Sequence, residues 1–141
     1  MTGFLLDTNV LSEFARARTA DQRVDRWLKA TSEVILFASV LTFAEIRRGI
    51  ELLPAGKRRT QLEEWQDDLR ISFAARLLPV TKSIGDHWAV LSAQAQRGGT
   101  PLDIMDGLIA ATALEHDLTV ATRNVKDFAG LGVRVFNPWE T

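Results

Sequence analysis

The chain has 141 residues, 46% of them apolar and 25% charged, with 17 Lys+Arg against 18 Asp+Glu and no cysteine. This is the composition of a globular protein, and the length fits one domain covering residues 1–141. The lack of cysteine excludes disulfides, thiolate metal sites and a Cys nucleophile, and the near-zero net charge excludes binding of nucleic acid by bulk basicity.

Phe4-Leu5-Leu6 reads as a short buried strand closed by the turn-forming Asp7-Thr8-Asn9. Helical spacing follows over residues 10–15, and a second helix carries Val24, Trp27 and Leu28 on one face. Residues 34–38 are apolar throughout, as in a central parallel strand covered on both faces. The longest apolar stretch, residues 34–44, falls short of the roughly 20 residues that span a membrane. Thr42-Phe43-Ala44-Glu45 opens a helix that ends before Pro54, and residues 57–75 form a long helix with Leu62, Trp65, Leu69 and Phe73 in register. Leu77-Leu78-Pro79-Val80 is a short strand that its proline assigns to a sheet edge. A helix with Ile84, Trp88, Leu91 and Ala95 precedes the breaker Gly98-Gly99-Thr100-Pro101. A helix over residues 104–116 and strands over residues 119–122 and 133–136 complete the chain. Strands separated by helices imply right-handed crossovers and a short parallel sheet, an α/β fold. The N-terminus, Met1-Thr2-Gly3-Phe4-Leu5-Leu6-Asp7, has no basic leader, so a cytoplasmic location is expected.

In such sheets a site forms at the carboxyl ends of the strands, near the point where strand order reverses. Asp7 follows the first strand and reads equally as a helix cap. Thr42 and Glu45 have the spacing of a capping box, although a Glu one turn into that helix can also face the cleft. Asp103 and Asp106 open the small-residue helix as N-cap and N3 acid, or as ligands. Gly107 beside them suggests a close backbone approach, because glycine inside a helix costs about 1 kcal/mol relative to alanine. Thr122-Arg123-Asn124 follows the fourth strand, and Asp127-Phe128 reads as a helix-start cap with a buried aromatic. Clustered carboxylates raise one another's pKa unless a cation neutralises them. The two histidines, His87 and His116, read as structural. An oxygen-only donor set suits Mg²⁺ or Mn²⁺, and such a metal serves phosphoryl chemistry by activating water.

Four blocks resemble the PIN-domain ribonucleases, in particular their VapC toxin branch with its FitB-like members. They are Leu5-Leu6-Asp7-Thr8-Asn9-Val10-Leu11-Ser12-Glu13, then residues 41–50 around Glu45, then Asp106-Gly107-Leu108-Ile109-Ala110-Ala111-Thr112-Ala113, and finally residues 122–128 with the Asn137-Pro138-Trp139 tail. The resemblance spans essentially the whole chain in order and implies a PIN-like fold. It implies a Mg²⁺-dependent endoribonuclease toxin that leaves 5′-phosphate and 3′-hydroxyl ends, with Asp7, Glu45 and Asp106 holding the metal. The family's fourth acidic position matches Asn124, an amide, which can ligate through its carbonyl oxygen or orient water; Asp127 is the alternative. Thr8 and Thr122 would hydrogen-bond the carboxylates or a metal-bound water. Arg47, Arg48, Arg123 and Lys126 are candidates for the RNA backbone, whereas Lys57-Arg58-Arg59 reads as a solvated helix face. The resemblance further implies a VapB-like antitoxin seated in an apolar groove, operator DNA bound only through that antitoxin, and a homodimer. The helix face with Leu62, Trp65 and Leu69 would serve the core, that groove or a dimer seam.

Two other readings compete. A haloacid-dehalogenase-type phosphatase also begins with a strand and an Asp but needs a second Asp two residues on, where this chain has Asn9. A catalytically weak PIN-like RNA-binding or scaffold protein is the non-enzymatic alternative.

Overall fold

The computed structural model describes residues 3–15 and 21–141. Met1 and Thr2, part of the N-terminal stretch read above for a leader, lie outside them. Five short strands, β1 (Phe4–Leu6), β2 (Leu36–Ser39), β3 (Leu77–Leu78), β4 (Thr119–Ala121) and β5 (Val135–Phe136), pair in parallel in the order β3-β2-β1-β4-β5. The chain therefore builds outward from β1 through β2 to β3, then returns to the other side of β1 with β4. Proline-flanked β3 lies at an edge, as its sequence requires.

Among the described residues six α-helices cover the sheet: α1 (Thr8–Glu13), α2 (Gln22–Ala30), α3 (Val40–Glu51), α4 (Lys57–Phe73), α5 (Lys82–Arg97) and α6 (Ile104–Glu115). Successive strand residues point to opposite faces, and the two leucines of β1 divide accordingly. Leu6 joins Val10, Leu36, Phe43, Ile46 and Phe73 in one core, while Leu5 joins Ile109, Ala113, Val120 and Phe128 in the other. Both leucines are fully buried, so the short central strand is covered by helices on each side. Gly3 has no room for a side chain: a Cβ there would stand 2.5 Å from the Ile35 carbonyl oxygen.

Several boundaries differ from the sequence reading. Residues 33–35 form a 3-10 turn rather than the start of β2, leaving Val34 exposed. Arg76 holds this turn by donating to the carbonyls of Glu33 (2.7 Å) and Leu36 (2.5 Å), while its guanidinium stacks on Phe73. Helix α1 stops at Glu13 instead of reaching residue 15, and β5 covers only the last two residues of its apolar run. His87 and His116 are structural, as expected: His87 Nε2 lies 2.8 Å from Glu115 Oε2 across α5 and α6, and His116 caps α6.

Gly107 of α6 packs closely against Trp88 of α5 and against Leu102. A Cβ at this position would come within 2.9 Å of both Trp88 Cδ1 and Leu102 Cδ2. The glycine is thus explained by packing against an indole ring. Gly85, inside α5, has nothing within 4 Å of where its Cβ would be.

Candidate active site

Three chain segments leave the sheet at its carboxyl edge around the reversal point, and each delivers part of one polar network. After β1, the Asp7 Oδ1 atom accepts from the Thr8 backbone N–H (2.9 Å) and caps α1. Its Oδ2 accepts from the Thr122 hydroxyl at 2.8 Å, directly after β4. The capping reading of Asp7 is met by one oxygen, which leaves the other to Thr122.

Thr122 is fully buried and saturated. Its hydroxyl donates to Asp7 and accepts from the Asn124 backbone N–H (3.0 Å) and from Asn9 Nδ2 (3.3 Å). The Asn9 Oδ1 atom in turn accepts from the Arg123 backbone N–H at 3.3 Å. Asn9 therefore stitches the exit of β1 to that of β4, a task beyond its reading as a turn former. The only sequence signal for it was its place two residues after Asp7.

Glu45 arrives from β2. The capping-box reading of Thr42 and Glu45 is wrong, because α3 starts earlier. Ser39 is the N-cap, its side chain accepting from the Leu41 N–H at 3.0 Å. Thr42 is consequently buried within the helix, its hydroxyl without a partner. Glu45 is freed from capping and instead accepts from the Thr8 hydroxyl at 3.0 Å. Two threonine hydroxyls thus each hold one carboxylate.

Asp106 stands in the first turn of α6, whose N-cap is Asp103, with Asp103 Oδ2 accepting from the Asp106 N–H at 3.1 Å. Burial, and then the charges of Asp103, Asp127, Asp7 and Glu45, push the Asp106 carboxyl up to about 6. Among the described residues none of these five acids takes part in an ion pair. Nor do three Asp, Glu or His side chains, among the described residues, converge closely enough as they stand to ligate one ion together. The donor set is oxygen-only and uncompensated, which fits a hard divalent cation.

The structure brings Asp7, Glu45 and Asp106 into one electrostatic neighbourhood and attaches Asn124 to it through its backbone. Asp127 contributes to the same field but does not cap a helix; it lies inside a 3-10 turn, Val125–Phe128, that follows Asn124. Phe128 is buried as expected. Of the basic candidates, Arg47 pairs with Glu51 at 2.8 Å along α3, and Arg59 reaches the same glutamate at 2.7 Å. Arg123 lies over the Trp139 ring, 5.4 Å from its centroid. Lys126 shares a cavity wall with Asp103, Asp106 and Asp127. Thr8 and Glu45 border a second, open groove of about 330 Å³ that runs over Ile46 and Ile50 towards Leu62 and Trp65, with Arg58 on its rim. Arg58 is exposed, as its place on a solvated face requires, and it also borders this groove.

The sequence profile of the PIN domain matches residues 4–132. The chain belongs to the PIN-domain family. This PIN domain is 39% identical over 137 residues to the VapC ribonuclease Y4jK of Sinorhizobium fredii, covering 96% of the chain and 97% of that protein. It is 40% identical over 136 residues to the toxin FitB of Neisseria gonorrhoeae, with 96% and 97% coverage. Among solved structures it superimposes on that of FitAB bound to an IR36 DNA fragment with a TM-score of 0.89, at 39% identity, over 96% of this chain and 95% of the other. No helix among the described residues is long and apolar enough to cross a membrane.

Proposed function

We propose that this PIN domain is an RNA-cleaving toxin of a toxin–antitoxin pair, acting as a single unit in the cytoplasm. The observation that carries the reading is the uncompensated set of carboxylates at the sheet's carboxyl edge, with Asp106 pushed towards its protonated form by burial and by its acidic neighbours. Asp7, Glu45 and Asp106 would hold Mg²⁺, or Mn²⁺, with Asn124 assisting through its amide oxygen. When bound, such a cation lowers the pKa of water and offsets the negative charge that develops on a phosphodiester.

The chain's own residues prepare that site. Thr122 and Thr8 fix one carboxylate each, and partners of this kind are typically worth 10–100-fold in metal affinity or activity. Asn9 and the Asn124 backbone in turn hold Thr122 in place. Lys126 supplies a cation on the site's wall for an RNA phosphate, while the carboxylates repel phosphate until a cation is present. The groove from Glu45 to Leu62 and Trp65 is proposed as the seat of a VapB-like antitoxin. It begins at the acidic site, so an occupant would also block access to Glu45. Operator DNA would be bound through that antitoxin, and a second copy of the chain is a further proposed partner. Similarity to the VapC ribonuclease and to the toxin FitB supports the RNA-cleaving toxin reading, and the fit to the DNA-bound FitAB structure supports a partner-bound form on DNA.

Induction of the chain in a bacterial host tests the toxin reading. Growth should stop, resume when the small gene beside its own is co-expressed, and continue unimpaired with Asp106→Asn. Unimpaired growth with the wild-type chain at full expression would overturn it.

A further inference from the structure

The wall that Asp106 shares with Asp103, Lys126 and Asp127 belongs to a cavity of about 460 Å³. It opens between the C-terminal turns of α5, the 98–103 loop and residues 126–131. Its size falls within the roughly 300–1,000 Å³ of small-molecule pockets. Leu91, Ala95 and Leu131 give it an apolar floor, and the exposed Gln94 and Thr100 add neutral hydrogen-bonding groups.

This chemistry selects among the parts of a nucleotide. Three carboxylates against one lysine leave no charge for a phosphate beyond the one that Lys126 and a bound cation would meet, whereas an uncharged ring can lie on the apolar floor and turn its N–H groups towards the acids. Single-stranded RNA is commonly read by splaying a base into such a pocket and bonding its Watson–Crick edge. Gln94 offers a carbonyl acceptor and an amide donor side by side, the pattern needed for a bidentate contact with one base edge. Because Asp106 lies in both the cavity wall and the candidate catalytic cluster, the base held there would belong to a nucleotide beside the cut phosphate.

We infer that this cavity is a base-binding subsite and that Gln94 is its specificity-determining residue; the inference rests on the RNA-cleavage reading. Purified protein, freed of any partner, is incubated with Mg²⁺ and a randomised single-stranded RNA pool, and the ends are sequenced. In parallel, binding of A, C, G and U hexamers is followed by fluorescence anisotropy.

The wild-type chain should prefer one base at one position flanking the cut by about 5- to 100-fold, as expected of a bidentate base contact. Gln94→Ala should flatten that preference to within about 2-fold while still cutting the pool, and Ala95→Phe, which fills the floor, should remove it at the same position. Cleavage with no preference, or with one that both variants leave intact, overturns the subsite and spares the nuclease. If the wild type cuts nothing yet discriminates among hexamers, and Gln94→Ala loses that discrimination, the catalytic reading fails and the subsite stands. A chain that neither cuts nor discriminates overturns both.

Discussion

Replacing Asp106 with Asn should make the metal-free protein more stable while removing its activity. The carboxyl of Asp106 is pushed from 3.8 up to about 6 by burial and by the charges of Asp103, Asp127, Asp7 and Glu45. A shift of about two units at 1.36 kcal/mol each sets a ceiling of about 3 kcal/mol for keeping this group ionised. Asp106 is only half-buried, and screening by water reduces the cost to about 1–2 kcal/mol. The amide gives up the favourable interaction of a charge with the first turn of α6, about 0.3–1 kcal/mol. Relief of the burial and repulsion penalty wins, with a net gain of about 1 kcal/mol near neutral pH, or about 3–4 °C in Tm for a chain of this size. Because the folded-state pKa is raised, the penalty is absent below about 3.8, grows as pH rises, and is complete above about 6. Urea unfolding in chelator should therefore separate Asp106→Asn from wild type at about pH 7.5 and bring the two together near pH 4. Added Mg²⁺ should stabilise the wild type and not the variant. A variant less stable than wild type at neutral pH, or a difference that does not change with pH, would refute the electrostatic account of the cluster.

Other consequences follow from the same contacts. Thr122→Val keeps the shape of a fully buried side chain but strips Asp7, Asn9 and the Asn124 N–H of their shared partner. It should cost about 1–3 kcal/mol in urea titration and roughly 10–100-fold in RNA cleavage; unchanged activity would show that Asp7 needs no such anchor. Gly107→Ala places a methyl 2.9 Å from the Trp88 ring and should destabilise by about 1–3 kcal/mol. Gly85→Ala, in open space on α5, should stabilise by about 0.5–1 kcal/mol in the same thermal scans, so equal effects at the two glycines would contradict the packing.

The fold was legible where pattern and chemistry agreed. The apolar Phe4-Leu5-Leu6, the stripe of Leu62, Trp65, Leu69 and Phe73, and the proline after Leu78 each led to the element observed. Element ends were harder to place. The apolar run at residues 34–38 could not reveal that Arg76, some 40 positions away, would draw its first half into a 3-10 turn. The capping box was misplaced for a related reason. Ser39 and Thr42 are both good caps, and only the pairing of β2 with β3, where Ser39 stands opposite Leu78, decides that the strand ends at Ser39.

That same shift of one turn decides how Glu45 is used. A capping glutamate would have been tied to its own backbone, whereas a helix starting at Val40 leaves Glu45 to meet Thr8. The carboxylates themselves were visible as acids following strands. Their coupling through Thr122 and Asn9 was not, because it joins residues more than 100 positions apart. Asp103 and Asp127 had cap readings beside their site readings, yet theirs are the two largest charge contributions to the field at Asp106. A local motif does not report a field summed over three chain segments.

The measurement that tests the central claim most directly is cleavage of single-stranded RNA by the purified, partner-free chain in Mg²⁺, with Asp7→Asn, Glu45→Gln and Asp106→Asn alongside and a chelator control. The account predicts cleavage by the wild type, loss of cleavage in chelator, its return on adding Mg²⁺ back, and at least a roughly 100-fold fall in each variant. Cleavage that persists in chelator, or that survives any of the three substitutions, would contradict it.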